Sequence, residues 1–285
     1  MAARQMSRRE FIKSVGAVTA TATLAEPLST SPLAQAAPAV ASKKSDFVSI
    51  EEVAANIYRI NAALPDRPIT FSFFLIKDDQ PTLVEAGFGR LFGDTLDAVK
   101  RVIDPAKLRY IVVPHWEGDE CGALNRFLKV APHAQPVCSP IGASSTTDFA
   151  IRAPQVVEEG QVLDLGQHKL RFLITPYVHT WDSLLAYEES TGTMFTSDVF
   201  MQPGAGPATI DRDLTDKMLA SYRLVGIFPS RPHLNAALDK IEPLNPRVLA
   251  CHHGSVITGK IPEYIRALRE NDVTGVTYYN PMRGY

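Results

Sequence analysis

Cysteine is scarce in this sequence: Cys121, Cys138 and Cys251 are the three in 285 residues. An odd count leaves at least one thiol unpaired, and no C-x-x-C spacing offers a zinc knuckle or a redox pair. Tryptophan is rarer, with two residues, so a Trp inside an acidic loop stands out. Neither charge sign dominates: 29 Lys and Arg stand against 31 Asp and Glu, a formal charge of -2. The electrostatic footprint of a nucleic-acid binder is missing. No apolar run reaches the roughly 20 residues of a spanning helix, so a multi-span membrane protein is excluded. No glycine-rich dinucleotide fingerprint follows any expected strand. What is there, 45% hydrophobic and 21% charged residues, suffices for a sizeable core and excludes disorder and collagen. The length suits one large domain or two small ones.

The first 36 residues read as a segment outside the fold. Ser7-Arg8-Arg9-Glu10-Phe11-Ile12-Lys13 precedes an uncharged run from Ser14 to Ala25, and Ala34-Gln35-Ala36 supplies small residues for cleavage. This resembles a twin-arginine export signal. The expected division is a signal peptide at 1–36, a linker at 37–48, one folded domain at 49–270 and a tail at 271–285. The expected location is periplasmic or otherwise exported, with no membrane span.

Along the mature chain, Ile50 to Ile60 gives a broken apolar pattern, Phe71 to Ile76 a solid β-prone run, and Thr82 to Ala86 a further strand after a turn. Helical spacing follows over 92–103, then a buried strand over 110–113 and helices over 120–130 and 141–151. Strands are expected at 161–165, 170–175, 184–188, 193–196 and 247–250, and helices at 214–225, 234–241 and 262–270. Strands in two groups, each followed by helices, suggest two packed sheets with helices outside.

The informative segment is Val113-Pro114-His115-Trp116-Glu117-Gly118-Asp119-Glu120. A buried strand ends, and one imidazole and three carboxylates follow within six residues. In an extended loop residues two apart point the same way, so His115, Glu117 and Asp119 can converge. Glu120 opens a helix, where a carboxylate also suits the helix dipole; metal donor and cap both remain open for it. Three further strands end in His179, in Asp198 and in the pair His252-His253. Four such exits with matched chemistry point to a metal site.

With these motifs the chain resembles the metallo-β-lactamase superfamily, and within it the flavodiiron, or oxygen-binding diiron, branch. Zinc hydrolases of the superfamily usually read H-x-H-x-D-H, whereas Glu117 holds the second position here, as in the diiron branch. The resemblance implies an α/β fold, the αββα four-layer sandwich. It also implies one iron held by His115, Glu117 and His179, a second by Asp119 and His253, and Asp198 bridging both. The branch normally carries His directly after the Asp, where this chain has Glu120. Four carboxylates would balance two ferrous ions, and hard oxygen donors suit iron or manganese better than zinc, although zinc tolerates them.

His253 is preferred over His252 because Gly254 lets the backbone turn and the His-Gly pair matches the family motif; His252 is expected behind the donors or in a structural role. His133, His168 and His233 read as surface residues. Trp116, Trp181, Tyr177 and Phe200 adjoin the motifs, as walls of an apolar pocket or as core residues. Asp182 either orients a ligand or caps a turn, and Cys121 and Cys251 flank the site as a disulfide or as thiols. The resemblance also implies a flavodoxin domain after the sandwich, and with the sequence read to Tyr285 none is expected here. The expected function is binding or reduction of dioxygen or nitric oxide, with electrons from an external redox partner. A zinc-dependent hydrolase of an ester, lactone or lactam and a non-enzymatic oxygen sensor are the alternatives, and a homodimer is compatible with each.

Overall fold

The computed structural model describes residues 46–65 and 67–275. The expected signal segment, most of the linker and most of the tail lie outside the described residues. Among the described residues no helix is long and apolar enough to cross a membrane.

The broken pattern at the start resolves into a hairpin of β1 (Val48–Ala54) and β2 (Ile57–Ala63), turning at Asn56 with φ +56°, a conformation Asn accepts more readily than most residues. Then come β3 (Thr70–Ile76), β4 (Thr82–Val84), β5 (Tyr110–Val112), β6 (Gln135–Cys138) and β7 (Gln155–Val156). These seven form one sheet in sequence order, antiparallel as far as β4 and parallel from there to β7. The second sheet holds β8 (Val162–Asp164), β9 (Lys169–Ile174), β10 (Leu184–Glu188), β11 (Thr193–Ser197), β12 (Thr209–Ile210), β13 (Val248–Cys251) and β14 (Val256–Ile257). Its order is β12-β14-β13-β11-β10-β9-β8.

The pleat sorts side chains into layers. On β3, Phe71, Phe73 and Leu75 point to one apolar cluster, and Phe74 and Ile76 to another, as the two-residue period of a strand requires. The first cluster is closed by Val99 and Phe127 of helices Phe92–Lys100 and Leu124–Val130. The second lies between the sheets, where Phe74, Val84 and Val112 meet Phe172, Leu184, Phe195 and Ala250. A third joins Leu173, Met194 and Leu249 to helices Thr215–Val225, Arg231–Ile241 and Ile261–Glu270. Three apolar layers separate four layers of structure, so the fold is the expected αββα sandwich. A strand buried on both faces cannot alternate apolar with polar, hence the run of β3, apolar from Phe71 to Ile76 except for Ser72.

The expected helices and longer strands are present, with ends shifted by a few residues. The helix expected over 120–130 is two pieces, Gly118–Cys121 and Leu124–Val130. Four strands escaped the sequence reading: β6, which contains Pro136, and the two-residue β7, β12 and β14. Proline argues against a strand because it cannot donate to the ladder, and two residues carry no periodicity.

Candidate metal centre

Strands β4, β5, β9, β11 and β13 end at one rim of the sandwich, and each delivers polar residues there. His115 and Glu117 follow β5, Asp119 and Glu120 lie in helix Gly118–Cys121, and His179 lies in the loop after β9. Asp198 directly follows β11, and His252 and His253 directly follow β13. Gly254 takes φ +89°, and a Cβ there would stand 2.8 Å from the Gln202 carbonyl oxygen, so the turn that aims both histidines inward requires glycine.

Asp198 sits at the middle. Its Oδ2 lies 2.7 Å from His179 Nε2 and 3.4 Å from His115 Nε2, and its Oδ1 3.1 Å from His253 Nε2 without the angle of a hydrogen bond. Glu117 Oε2 lies 3.8 Å from His115 Nε2 and 3.7 Å from His179 Nε2. Glu120 Oε1 lies 3.5 Å from His115 Nε2 and 3.7 Å from His252 Nε2, and Asp119 Oδ2 is 3.6 Å from His252 Nε2. Two sets thus share one centre: His115, Glu117, His179 and Asp198, and next to them Asp119, His252 and His253.

Outer partners fix the rings. Thr70 O accepts from His253 Nδ1 at 2.9 Å, Ser197 Oγ lies 3.2 Å from His115 Nδ1, and Glu85 Oε2 lies 2.5 Å from His252 Nδ1. Each Nδ1 faces outward to a partner and each Nε2 faces the centre, the arrangement of metal-bound imidazoles.

The electrostatics are those of buried carboxylates and imidazoles crowded around one point. Burial works against ionisation of Asp198, yet the facing nitrogens of His115, His179 and His253 outweigh it and hold the carboxyl well below its usual range. Burial, with Asp198 and Asp119 adding to it, pushes Glu120 well above that range despite the facing imidazoles. Burial opposes protonation of His252, but Glu85 and Glu120 raise it well above an ordinary imidazole. Asp119, partly buried, is lowered to about 2 by His252. Protons and a cation would compete for the same atoms, so binding an ion releases protons.

Three observations say that the residues fit metal ions. Both Glu120 oxygens, Asp198 Oδ1 and His252 Nε2 are buried without a hydrogen-bond partner, an unfavourable state for polar atoms that an ion relieves. His115 Nε2 and His179 Nε2 face each other at 3.2 Å; nitrogens that share one ion at about 2.0–2.1 Å stand about 3 Å apart. The donor set is rich in carboxylate, which suits iron or manganese.

Residues 69–254 match the family described as ODP family beta lactamase. The chain belongs to this family. The flavo-diiron protein FprA2 of Clostridium acetobutylicum is 28% identical over 198 residues, 66% of this chain and 50% of that protein. The nitric oxide reductase of Moorella thermoacetica is 26% identical over 67% of this chain and 50% of its own length. This ODP-family chain therefore spans about half the length of these curated relatives. The solved structure of the rubredoxin oxygen:oxidoreductase of Desulfovibrio gigas superposes with a TM-score of 0.72 at 21% identity, over 78% of this chain and 61% of that one, and shares its sandwich fold.

A cavity of about 450 Å³ opens onto Glu117, His179, Asp198 and His253, and Ile69, Met201, Leu224 and Ile227 make most of its remaining wall apolar, beside Gln202 and Ser221. The four aromatics that adjoin the motifs do not line it. Trp116 donates to Thr146 Oγ1 and packs on Phe149, Phe200 is core, and Tyr177 and Trp181 are exposed. Asp182 accepts from Thr180 Oγ1 at 2.7 Å within its turn. The three cysteines are free and buried, and burial raises the Cys121 and Cys251 thiols to about 12, so neither is a ready nucleophile. His133 and His233 are exposed as expected. His168 is a correction: it is buried against Asp78, because two turns from different sheets close over it.

Sequence reading missed the residues behind the donors. Glu85 follows an apolar strand and reads as its polar end, although it is buried at φ +69°. Arg59 interrupts an apolar stretch of β2, buried, and donates to Ser72 Oγ and to Gly254 O at 2.6 Å. A charged residue inside an apolar strand was the available signal.

Proposed function

We propose that this domain is an exported non-haem diiron protein that binds or reduces dioxygen or nitric oxide, taking electrons from an external donor. One observation carries the reading: a buried, carboxylate-rich donor set with unpaired inward-facing atoms lies at the floor of an apolar cavity. A flavo-diiron protein and a nitric oxide reductase among the relatives support it. Iron would be held by His115, Glu117, Asp119, Glu120, His179, Asp198 and His253. When bound, it supplies one-electron chemistry toward a diatomic ligand. Asp198, with one oxygen toward His179 and the other toward His253, would serve both donor sets. Ser197 and Thr70 hold the His115 and His253 rings, and the apolar walls admit a small uncharged molecule while excluding ordered water.

The test begins with metal analysis of protein purified without added metal, then anaerobic reduction and addition of oxygen or nitric oxide with an artificial donor. Sustained gas consumption supports the oxidoreductase. A reversible spectral change without turnover makes the domain a sensor and overturns the enzymatic part. The cavity is larger than a diatomic ligand needs, which favours a second reading, metal-dependent hydrolysis of an ester, lactone or lactam. Two zinc ions, no response to either gas and lactone turnover lost in Asp119→Ala would establish it. Export is tested by fractionating cells that express the full chain: the Arg8→Lys/Arg9→Lys pair should retain it in the cytoplasm.

A further inference from the structure

We propose that His252, oriented by Glu85, is a fourth imidazole donor to this centre and holds the second ion together with Asp119 and His253. The inference rests on the dinuclear reading above and goes beyond its donor set. His252 is fully buried, and its Nε2 meets no hydrogen-bond partner. That nitrogen is aimed between Asp119 Oδ2 at 3.6 Å and Glu120 Oε1 at 3.7 Å.

Four contacts fix its position. Glu85 Oε2 lies 2.5 Å from Nδ1, so with the carboxylate accepting from Nδ1, Nε2 is the nitrogen turned inward, and it would give up its proton to an ion. The backbone N–H donates to Ser197 O at 2.8 Å, and the backbone carbonyl accepts from Ser72 N at 2.7 Å. The Phe71 ring packs edge-on at 6.0 Å between centroids. A purely structural histidine at this depth would use both nitrogens; His168 does, contacting Asp78 and the Ala55 carbonyl. His252 uses one and leaves the other facing carboxylates, and a carboxylate behind an inward-facing imidazole is the usual support of a metal ligand.

Glu120 then takes the donor role that the sequence leaves open beside that of a helix cap. Its Oε1 stands between His115 Nε2 and His252 Nε2, one from each donor set, so it parallels Asp198 as a carboxylate shared by both positions. Four carboxylates still balance two ferrous ions, and the fourth imidazole adds a neutral donor without changing that balance.

The experiment compares the full chain with His252→Ala and Glu85→Gln, each stripped of metal and titrated with Fe(II) or Zn(II) against a chromophoric chelator. Bound metal is counted and the reduced and half-oxidised iron forms are followed by EPR. The unaltered protein should take up two ions. His252→Ala should keep one, lose the spin-coupled signal of an iron pair, and regain the second ion when imidazole is added. Glu85→Gln should keep both but hold the second about 10- to 100-fold more weakly. Two ions at unchanged affinity in His252→Ala would overturn the proposal. If that variant does not fold, unchanged affinity in Glu85→Gln does so instead. An unaltered protein that binds fewer than two ions overturns the dinuclear reading itself, a separate outcome.

Discussion

The two ends of the sandwich each bury histidine against carboxylate, and they do so in opposite ways. At the far end, Asp78 after β3 accepts from the backbone N–H groups of Asp79, Gln167 and His168 and lies 2.7 Å from His168 Nδ1. His168 Nε2 in turn reaches the Ala55 carbonyl. Every polar atom there has a partner, and the cluster ties the turn after β3 to the turn between β8 and β9. At the near end, Glu120, Asp198 and His252 keep unpaired atoms at comparable burial. Burial and residue type therefore do not separate a structural clamp from a candidate metal site; satisfaction of the inward atoms does.

The sharpest way to break this contrast is Asp198→Ala. It removes the group that faces His115, His179 and His253, and bound metal should fall from two ions to less than one per chain, read by elemental analysis. Folding of the stripped protein should survive. Next in size is Asp78→Ala, which orphans buried donors and should cost about 2–3 kcal/mol in denaturant titration, with metal content unchanged. The pH dependence is specific: burial would raise the Asp78 carboxyl, but the hydrogen bonds from His168, Asp79 and Gln167 prevail and lower it. Its contribution is present above the ordinary carboxylate range and is lost as pH falls through the folded-state value. The stability difference between the unaltered chain and Asp78→Ala should thus shrink on acidification.

Glu120→Met should have the opposite sign in metal-free protein. Removing a buried carboxylate with no partner should stabilise the stripped form by about 1 kcal/mol while weakening metal retention; destabilisation of the stripped form would show that Glu120 is structural. The smallest effect is expected from Leu224→Arg at the cavity wall. Stability should stay within about 0.5 kcal/mol and metal content should hold, while binding of azide to the metal-loaded protein, followed optically, should change.

The same contrast explains what was legible in the sequence. The layer architecture was, because β3, β5, β11 and β13 announce themselves as apolar runs and the helices by their spacing. His115 and Asp198 stand out because they follow such runs closely, and Glu117 and Asp119 because they alternate with His115 in the segment beyond. The choice between His252 and His253 was not legible: neighbouring residues past a strand end are no longer bound to alternate, and Gly254 turns the backbone so that both rings, 4.5 Å apart, face inward. Nor could His168 be distinguished from a surface histidine, because its partner Asp78 comes from a turn in the other sheet. Long-range pairing of loops leaves no local periodicity to read.

The stitching of the two sheets at the rim has a consequence for timing. Ser72 of β3 donates to the carbonyl of His252, and Arg59 of β2 to that of Gly254, so strands from opposite halves of the chain complete the rim together. A partly folded chain with only the first sheet in place presents His115, Glu117, Asp119 and Glu120, an acidic loop with one imidazole. His179, Asp198, His252 and His253 arrive only when the second sheet docks. Ion capture at this site would therefore be a late event in the life of the molecule, with the finished fold as the gatekeeper that decides when a cation is accepted.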